Sequence, residues 1–175
     1  MAVFRSRAMN TEILNSGLSA SDCKNVFDWF QAVEARFSRF LPESELSRIN
    51  SHAGDATRLS EPFAELLFEA LRYTEETGGL FHPFLGSVIN HLGYNQSFEK
   101  IYSSEIPVLH FLENESKQAE PVQFDLERRI LKISKKELLD FGGIAKGWGV
   151  QKITLDLIRK KRTSGLVDAG GDLMA

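Results

Sequence analysis

Two hydrophobic periodicities share this chain, and they do not alternate regularly. Val26, Phe27, Phe30, Val33 and Phe37 recur at helical spacing behind Ser21, which can cap such a helix. Phe63, Leu66, Leu67, Ala70 and Leu71 form a second helical stripe, opened by Ser60 with Pro62 in the first turn and closed by Gly78-Gly79. Leu85, Val88, Ile89 and Leu92 predict a short third helix. Ala145 to Lys161 predicts a fourth, with Trp148, Ile153, Leu157 and Ile158 facing inward and Gly165 as its stop. The period-two segments are shorter. Thr11 to Leu14 reads as a strand closed by Asn15-Ser16-Gly17. Val122, Phe124 and Leu126 alternate before a Glu127-Arg128 turn, and Ile130 to Ser134 return as a hairpin. Leu166-Val167 begins a last strand. Ser38 to Leu59 reads as a polar loop, and residues 94–121 carry no clear period. The mixture predicts an α+β fold, mainly antiparallel strands packed on helices, and not a doubly wound parallel sheet.

Composition narrows the function classes. The chain has 175 residues, of which 42% are apolar and 26% charged. That suits one domain with a packed core and excludes collagen-like, mucin-like and disordered chains. No apolar run approaches the roughly 20 residues of a membrane-spanning helix. Lys and Arg number 21 against 24 Asp and Glu, a net charge of −3, so no global charge recruits nucleic acid or an anionic membrane. The basic run Arg159-Lys160-Lys161-Arg162 is expected at a helix C-terminus, where cations oppose the helix dipole. Cys23 is the sole cysteine, which excludes an intrachain disulfide, and its setting predicts a packing residue rather than a nucleophile. The N-terminal residues show no long apolar core and no lipid-attachment cysteine, so the expected location is cytoplasmic. The alternative is a periplasmic membrane-anchored lipoprotein whose leader has been removed.

Three segments could carry chemistry. The strongest is Asp140-Phe141-Gly142-Gly143-Ile144-Ala145-Lys146-Gly147, at the predicted start of the fourth helix. Adjacent glycines let backbone amides approach a ligand, a helix N-terminus favours an anion, Lys146 adds a cation and Asp140 an acceptor. Such a set suits a phosphate or nucleotide, although a simple glycine turn between strand and helix accounts for the same residues. The spacing matches neither a Walker loop nor a dinucleotide fingerprint. The second is Phe37-Ser38-Arg39-Phe40 with Ser44-Glu45-Leu46-Ser47-Arg48-Ile49-Asn50, which could line a polar cleft or simply form a solvated connection. The third, Gly78-Gly79-Leu80-Phe81-His82-Pro83, reads as helix termination more readily than as a ligand contact. His52, His82, His91 and His110 show no metal-site spacing, and no nucleophile elbow is present.

Taken in order, these segments resemble the FAD:protein FMN transferase family, also called the ApbE family. The likeness starts at Ala8-Met9-Asn10-Thr11-Glu12, runs through the three segments above, and ends at Gly165-Leu166-Val167-Asp168-Ala169-Gly170-Gly171-Asp172. It spans residues 9–173. The resemblance implies transfer of FMN from FAD to a threonine hydroxyl of a target flavoprotein, with release of AMP and a requirement for Mg²⁺. The alternatives are a non-catalytic FAD-binding protein or an FAD pyrophosphatase giving AMP and FMN. By motif, Met9, Phe40, Leu80, Phe81, His82, Asp140 and Lys146 match flavin-dinucleotide contacts. Gly143 matches a position whose backbone carbonyl meets the metal. Asn50 matches a residue near metal and pyrophosphate that influences whether FAD is held or split, so Asn50 and Lys146 are the expected catalytic residues. Phosphoryl transfer depends on positioning and charge neutralisation, which is consistent with glycine-rich backbone and a lysine.

Three departures from the family pattern stand out. His82 replaces a usual Asp and Phe84 a usual Thr, which predicts weaker FAD binding by that stretch. Asn10 replaces a usual Gly. The resemblance also implies a longer, two-lobed fold with a downstream Asp and Thr at the metal, of which residues 1–175 would be the first part, incomplete at the C-terminus. On that reading a missing C-terminal segment or another chain completes the site; the further alternative is a structural remnant stabilised by self-association, as a homo-oligomer.

Overall fold

The computed structural model describes residues 2–91 and 122–175. The expectations for Leu92, His110 and residues 94–121 fall outside them. The described chain divides into two compact units. One comprises the residues up to Ser38 together with Gly142–Ala175, and the other comprises Arg39–Phe141. All strand pairings within the two sheets are antiparallel, as an α+β fold requires.

The first unit is a four-stranded sheet with two helices. Its strands are β1 (Val3–Ala8), β2 (Thr11–Ser16), β6 (Leu166–Ala169) and β7 (Asp172–Met174), in the spatial order β1-β2-β6-β7. Its helices are α1 (Ala20–Phe37) and α5 (Ala145–Arg159). Ile13, Val167 and Ala169 from the sheet close a core with Val26 and Phe30 of α1 and Val150, Ile153 and Leu157 of α5. Trp29 ties the helices together, its indole N–H donating to the Gly149 carbonyl at 2.9 Å. Two strands escaped the periodicity reading. β1 alternates weakly because it is an edge strand with most of its residues exposed, and β7 is a three-residue strand exposed throughout.

Three expectations in this unit are corrected. Ser19, not Ser21, caps α1: its hydroxyl accepts from the Asp22 N–H at 3.2 Å and donates to the Asp22 carboxylate at 2.6 Å. Ile158 is 56% exposed, because the inward face of α5 follows Gly149, Val150, Ile153 and Leu157, and the next residue turns about 100° away. The α5 helix stops well before Gly165. Lys161 adopts φ 59°, with its N–H on the Ile158 carbonyl and the Arg162 N–H on that of Leu157, the Schellman arrangement with lysine in place of glycine. Gly165 serves packing instead: a Cβ there would lie 2.5 Å from a methyl carbon of Leu18. The basic run does sit at the helix end, with Lys160 paired to Asp156 at 2.6 Å and Arg162 to Asp22 at 2.9 Å.

The second unit contains α2 (Glu45–Ser51), β3 (Thr57–Arg58), α3 (Glu61–Glu76), α4 (Gly86–His91), β4 (Gln123–Asp125) and β5 (Ile130–Lys132), with strand order β3-β5-β4. The expected β4–β5 hairpin forms, turning through residues 126–129 with Arg129 at φ 55°. α3 begins at its Ser60 cap and buries Phe63, Ala64, Leu66, Leu67 and Ala70. Phe63 meets Phe141 edge-on, with centroids 5.3 Å apart. The predicted polar loop of residues 38–59 is corrected. Ser44 caps α2, and Leu46 and Ile49, one turn apart, are buried beneath it. The short apolar repeat was masked by the surrounding Ser, Glu and Arg. The expected short helix forms as α4, with Leu85 before it and Val88 within it exposed, and it docks through Gly86, whose N–H donates to the Leu138 carbonyl at 2.9 Å. A Cβ on Gly86 would stand 2.7 Å from that same carbonyl oxygen. Among the described residues, no helix is long and apolar enough to cross a membrane.

Candidate functional site

The predicted site residues fall into both units: Met9, Gly143 and Lys146 in the first, and Phe40, Asn50, Leu80, Phe81, His82 and Asp140 in the second. Each group has its own geometry.

In the first unit, two hairpin tips and a helix start lie at one end of the sheet. Met9 and Asn10 form the two-residue turn between β1 and β2, with Ala8 opposite Thr11 and φ values of 53° and 61°. Positive φ at both central residues is the signature of a type I′ turn, where glycine and asparagine are favoured. Asn10 therefore occupies a position where its side chain tolerates a backbone that otherwise selects Gly. Gly170 and Gly171 form the matching turn between β6 and β7, at φ 68° and 100°, with the Gly171 N–H on Asp168 Oδ1 at 2.8 Å. Gly170 packs directly on Thr11, so closely that a Cβ would collide with the threonine hydroxyl. Asp172 lies beside Gly147 in the first turn of α5: a Cβ on Gly147 would stand 3.7 Å from Asp172 Oδ1.

That helix start differs from those of α1, α2 and α3. α1, α2 and α3 are each closed by a serine hydroxyl, whereas α5 begins at Ile144 with no side-chain cap. Gly142 and Gly143 before it are exposed, and Lys146 in its first turn is half-buried. Backbone amides without a capping side chain, a glycine pair and a lysine make a setting suited to an anion.

In the second unit, three segments far apart in sequence converge on the dipeptide Leu139-Asp140. Asn50 of α2 donates from its amide to the Leu139 carbonyl at 2.9 Å and accepts the Leu139 N–H at 2.8 Å. The Asp140 N–H donates to the Pro83 carbonyl at 2.8 Å. The Asp140 carboxylate, 8% exposed, pairs with Arg39 Nε at 3.1 Å. Arg39 also lies over the Phe40 ring, 4.6 Å from its centroid. Beside this junction is a pocket of about 190 Å³ lined by Arg39, Phe40, Ser47, Asn50, Gly86, Asn90, Leu138 and Leu139. Phe40 is 42% exposed and offers a flat apolar face. Arg39 belongs to the segment expected to line a polar cleft, but it was not matched to a ligand contact, and nothing local in the sequence signals its pairing with Asp140.

The Leu80-Phe81-His82 segment is shaped by local bonds. Leu80 is 91% exposed and His82 is exposed. Phe81 donates its N–H to Thr77 Oγ1 at 3.1 Å, while His82 Nδ1 accepts from the Phe84 N–H at 3.3 Å. Phe84 is buried, so the residue that replaces the family's threonine has become part of this unit's core. Cys23 is buried at 2% exposure, and burial, with the Asp22 charge second, pushes its thiol up, as suits a packing residue. Among the described residues, no group of three or more His, Cys, Asp or Glu is placed to hold a metal ion.

Comparison with known proteins gives one consistent result. The sequence profile described as "ApbE family" matches residues 7–175. The FAD:protein FMN transferase of Haemophilus influenzae is 28% identical over 149 residues, covering 82% of this chain and 42% of that protein. The FAD:protein FMN transferase of Treponema pallidum is 28% identical over 163 residues, covering 87% of this chain and 43% of that protein. The chain thus spans about two-fifths of the length of these relatives. In structure, it is similar to the ApbE protein of Thermotoga maritima, with a TM-score of 0.79 at 21% identity, covering 97% of this chain and 56% of that one.

Proposed function

The chain belongs to the ApbE family, and from that premise we propose that it is part of an enzyme that moves FMN from FAD onto a protein. The observation that carries the reading is the start of α5, where Gly142-Gly143, a helix N-terminus with no side-chain cap and Lys146 stand together. A dinucleotide pyrophosphate is an anion of the size and charge such a setting favours. In the proposed reaction, the hydroxyl oxygen of an acceptor threonine attacks the FMN phosphorus. The bond to the AMP oxygen breaks, AMP leaves and the hydroxyl proton is lost to base. In the first unit, Lys146 opposes the charge on the pyrophosphate and Met9 contributes from its hairpin tip; in the second, Phe40 and Phe81 are themselves apolar faces of the kind a flavin or adenine ring stacks on.

Mg²⁺ belongs to this proposal through the family likeness. The ion takes near-octahedral oxygen ligands, and Gly143 supplies only a backbone carbonyl. The described residues do not by themselves make that coordination sphere, so no step is routed through the ion.

A second reading, FAD holding without transfer, is favoured by Asn50, since both ends of its amide are bonded to Leu139. With water replacing the threonine hydroxyl, the same attack would give FMN and AMP, a pyrophosphatase outcome. One experiment separates the three. The chain is incubated with FAD, Mg²⁺ and a candidate acceptor flavoprotein, then assayed for covalent in-gel flavin fluorescence and for AMP. Labelled acceptor with AMP supports transfer, AMP without label supports hydrolysis, and bound FAD with neither supports holding. No FAD binding at millimolar concentration removes all three.

A further inference from the structure

We propose that the groove between α3 and the β4–β5 turn receives the C-terminal end of α5 from a second copy of this chain. The inference is independent of the flavin reading and uses residues that play no part in it.

The groove follows from what α3 leaves outside. While Phe63, Leu66, Leu67 and Ala70 are buried, Glu61, Glu65 and Phe68 are exposed at i, i+4 and i+7, which is one face of a helix. Leu126 and Glu127, from the turn after β4, stand across from that face, and the two sides bound a groove of about 570 Å³. Its apolar surface is large: Phe68 is 44% exposed and Leu126 45%. Its charge is acidic, since three glutamates line it against Arg129 alone, which approaches Glu61 at 3.9 Å.

The end of α5 has the complementary character. Leu155 and Ile158 are three residues apart on one helix face, and both are exposed. Arg159 continues that face one turn after Leu155. Of the basic run, Lys160 is held by Asp156 and Arg162 by Asp22, whereas Arg159 and Lys161 are exposed and carry no ion pair among the described residues. An apolar helix face flanked by such cations fits an apolar groove rimmed by carboxylates. In the contact, Leu155 and Ile158 meet Phe68 and Leu126, while Arg159 and Lys161 oppose Glu61 and Glu127.

A second copy is the occupant because every copy carries both halves of this match. Groove and helix end are different patches, so the contact is heterologous, and it closes or runs on according to the rotation between copies. One helix end in one groove is a small contact, which makes the association weak and concentration-dependent.

Sedimentation velocity on the full chain, from about 10 μM to about 1 mM, reads that association. The weight-average sedimentation coefficient should rise with concentration. Arg159→Glu sets a carboxylate against the acidic rim and should weaken association by about tenfold or more. Glu127→Lys, on the other half of the contact, should weaken it as well. Both side chains are exposed, and circular dichroism with thermal midpoints checks that the variants fold. The decisive sample is the mixture. The Arg159→Glu copy keeps an unaltered groove and the Glu127→Lys copy an unaltered helix end, so together they should associate where neither does alone. Both substitutions in one chain should also recover self-association, since the reversed charges again oppose each other. A mixture that behaves as the sum of its parts overturns the inference, as does an association that both reversals leave unchanged. No self-association of the wild-type chain at the highest concentration overturns it too, and leaves the groove to a basic segment of another protein. If Arg159→Glu fails to fold, Ile158→Ser takes its place in the mixture, and absence of rescue by the Glu127→Lys copy overturns the inference.

Discussion

Asn15 lies on β2 with its side chain fully buried and neither end of its amide hydrogen-bonded among the described residues. It stands opposite Val167 in the register with β6, on a core that is otherwise apolar. An unsatisfied buried amide costs about 1–3 kcal/mol, so Asn15→Val, an apolar side chain suited to a strand and closer in volume than Leu, should raise stability by about 1 kcal/mol in chemical denaturation. A loss of stability would show that the amide has a partner. Asp22 is the opposite case. Its carboxyl is held below the ordinary value of 3.8, first by the Ser19 hydroxyl, against the upward push of burial, with Arg162 assisting. A lowered folded pKa stabilises above the unfolded value and loses that contribution as pH falls below about 4. The thermal midpoint of Asp22→Asn should therefore lie below that of wild type near neutral pH and converge with it as the pH drops from about 4. A constant gap across that range would show that Asp22 contributes packing alone.

Hairpins and helix ends carry a different kind of information, since they depend on backbone angles more than on contacts. Gly170 and Gly171 share one turn, but only Gly170 abuts Thr11; nothing lies within 4 Å of a Cβ on Gly171. Gly170→Ala should cost about 2 kcal/mol or more, combining positive φ with a clash, while Gly171→Ala should cost about 1 kcal/mol from backbone strain alone. Equal losses in urea denaturation would remove Thr11 from the explanation. Lys161 ends α5 at φ 59°, where a side chain is strained and glycine is not. Lys161→Gly should accordingly stabilise the chain by about 0.5–1 kcal/mol, read as a higher denaturation midpoint.

For the whole molecule, the proposed ligand is the test. A ligand that binds only the folded chain stabilises it by about 2.7 kcal/mol at a hundred times its dissociation constant. FAD should raise the thermal midpoint with concentration, and Lys146→Ala should shrink that shift while leaving the ligand-free midpoint nearly unchanged. An undiminished shift would take Lys146 out of the site. The two compact units meet the chain at two crossings, Ser38 to Arg39 and Phe141 to Gly142, and each crossing lies inside a motif visible in the sequence. The second crossing divides Asp140 from Lys146, so one continuous motif supplies a residue to each unit.

Helical spacing in α1 and α3, the alternation of β4 and β5, and the order of the motifs were all readable without coordinates. They are local, set by which face of an element is apolar. Short or exposed elements were not readable: α2 buries only Leu46 and Ile49, and β7 buries nothing. The sequence alone also determined the family, because a set of ordered motifs survives where overall identity is low. What the tertiary structure decided is which residues act together. Asn50 and Leu139 are 89 positions apart, and Arg39 and Pro83 reach the same dipeptide from other segments. No local period encodes such a meeting, because it depends on how separately formed elements pack and on the need of a buried carboxylate for a cation.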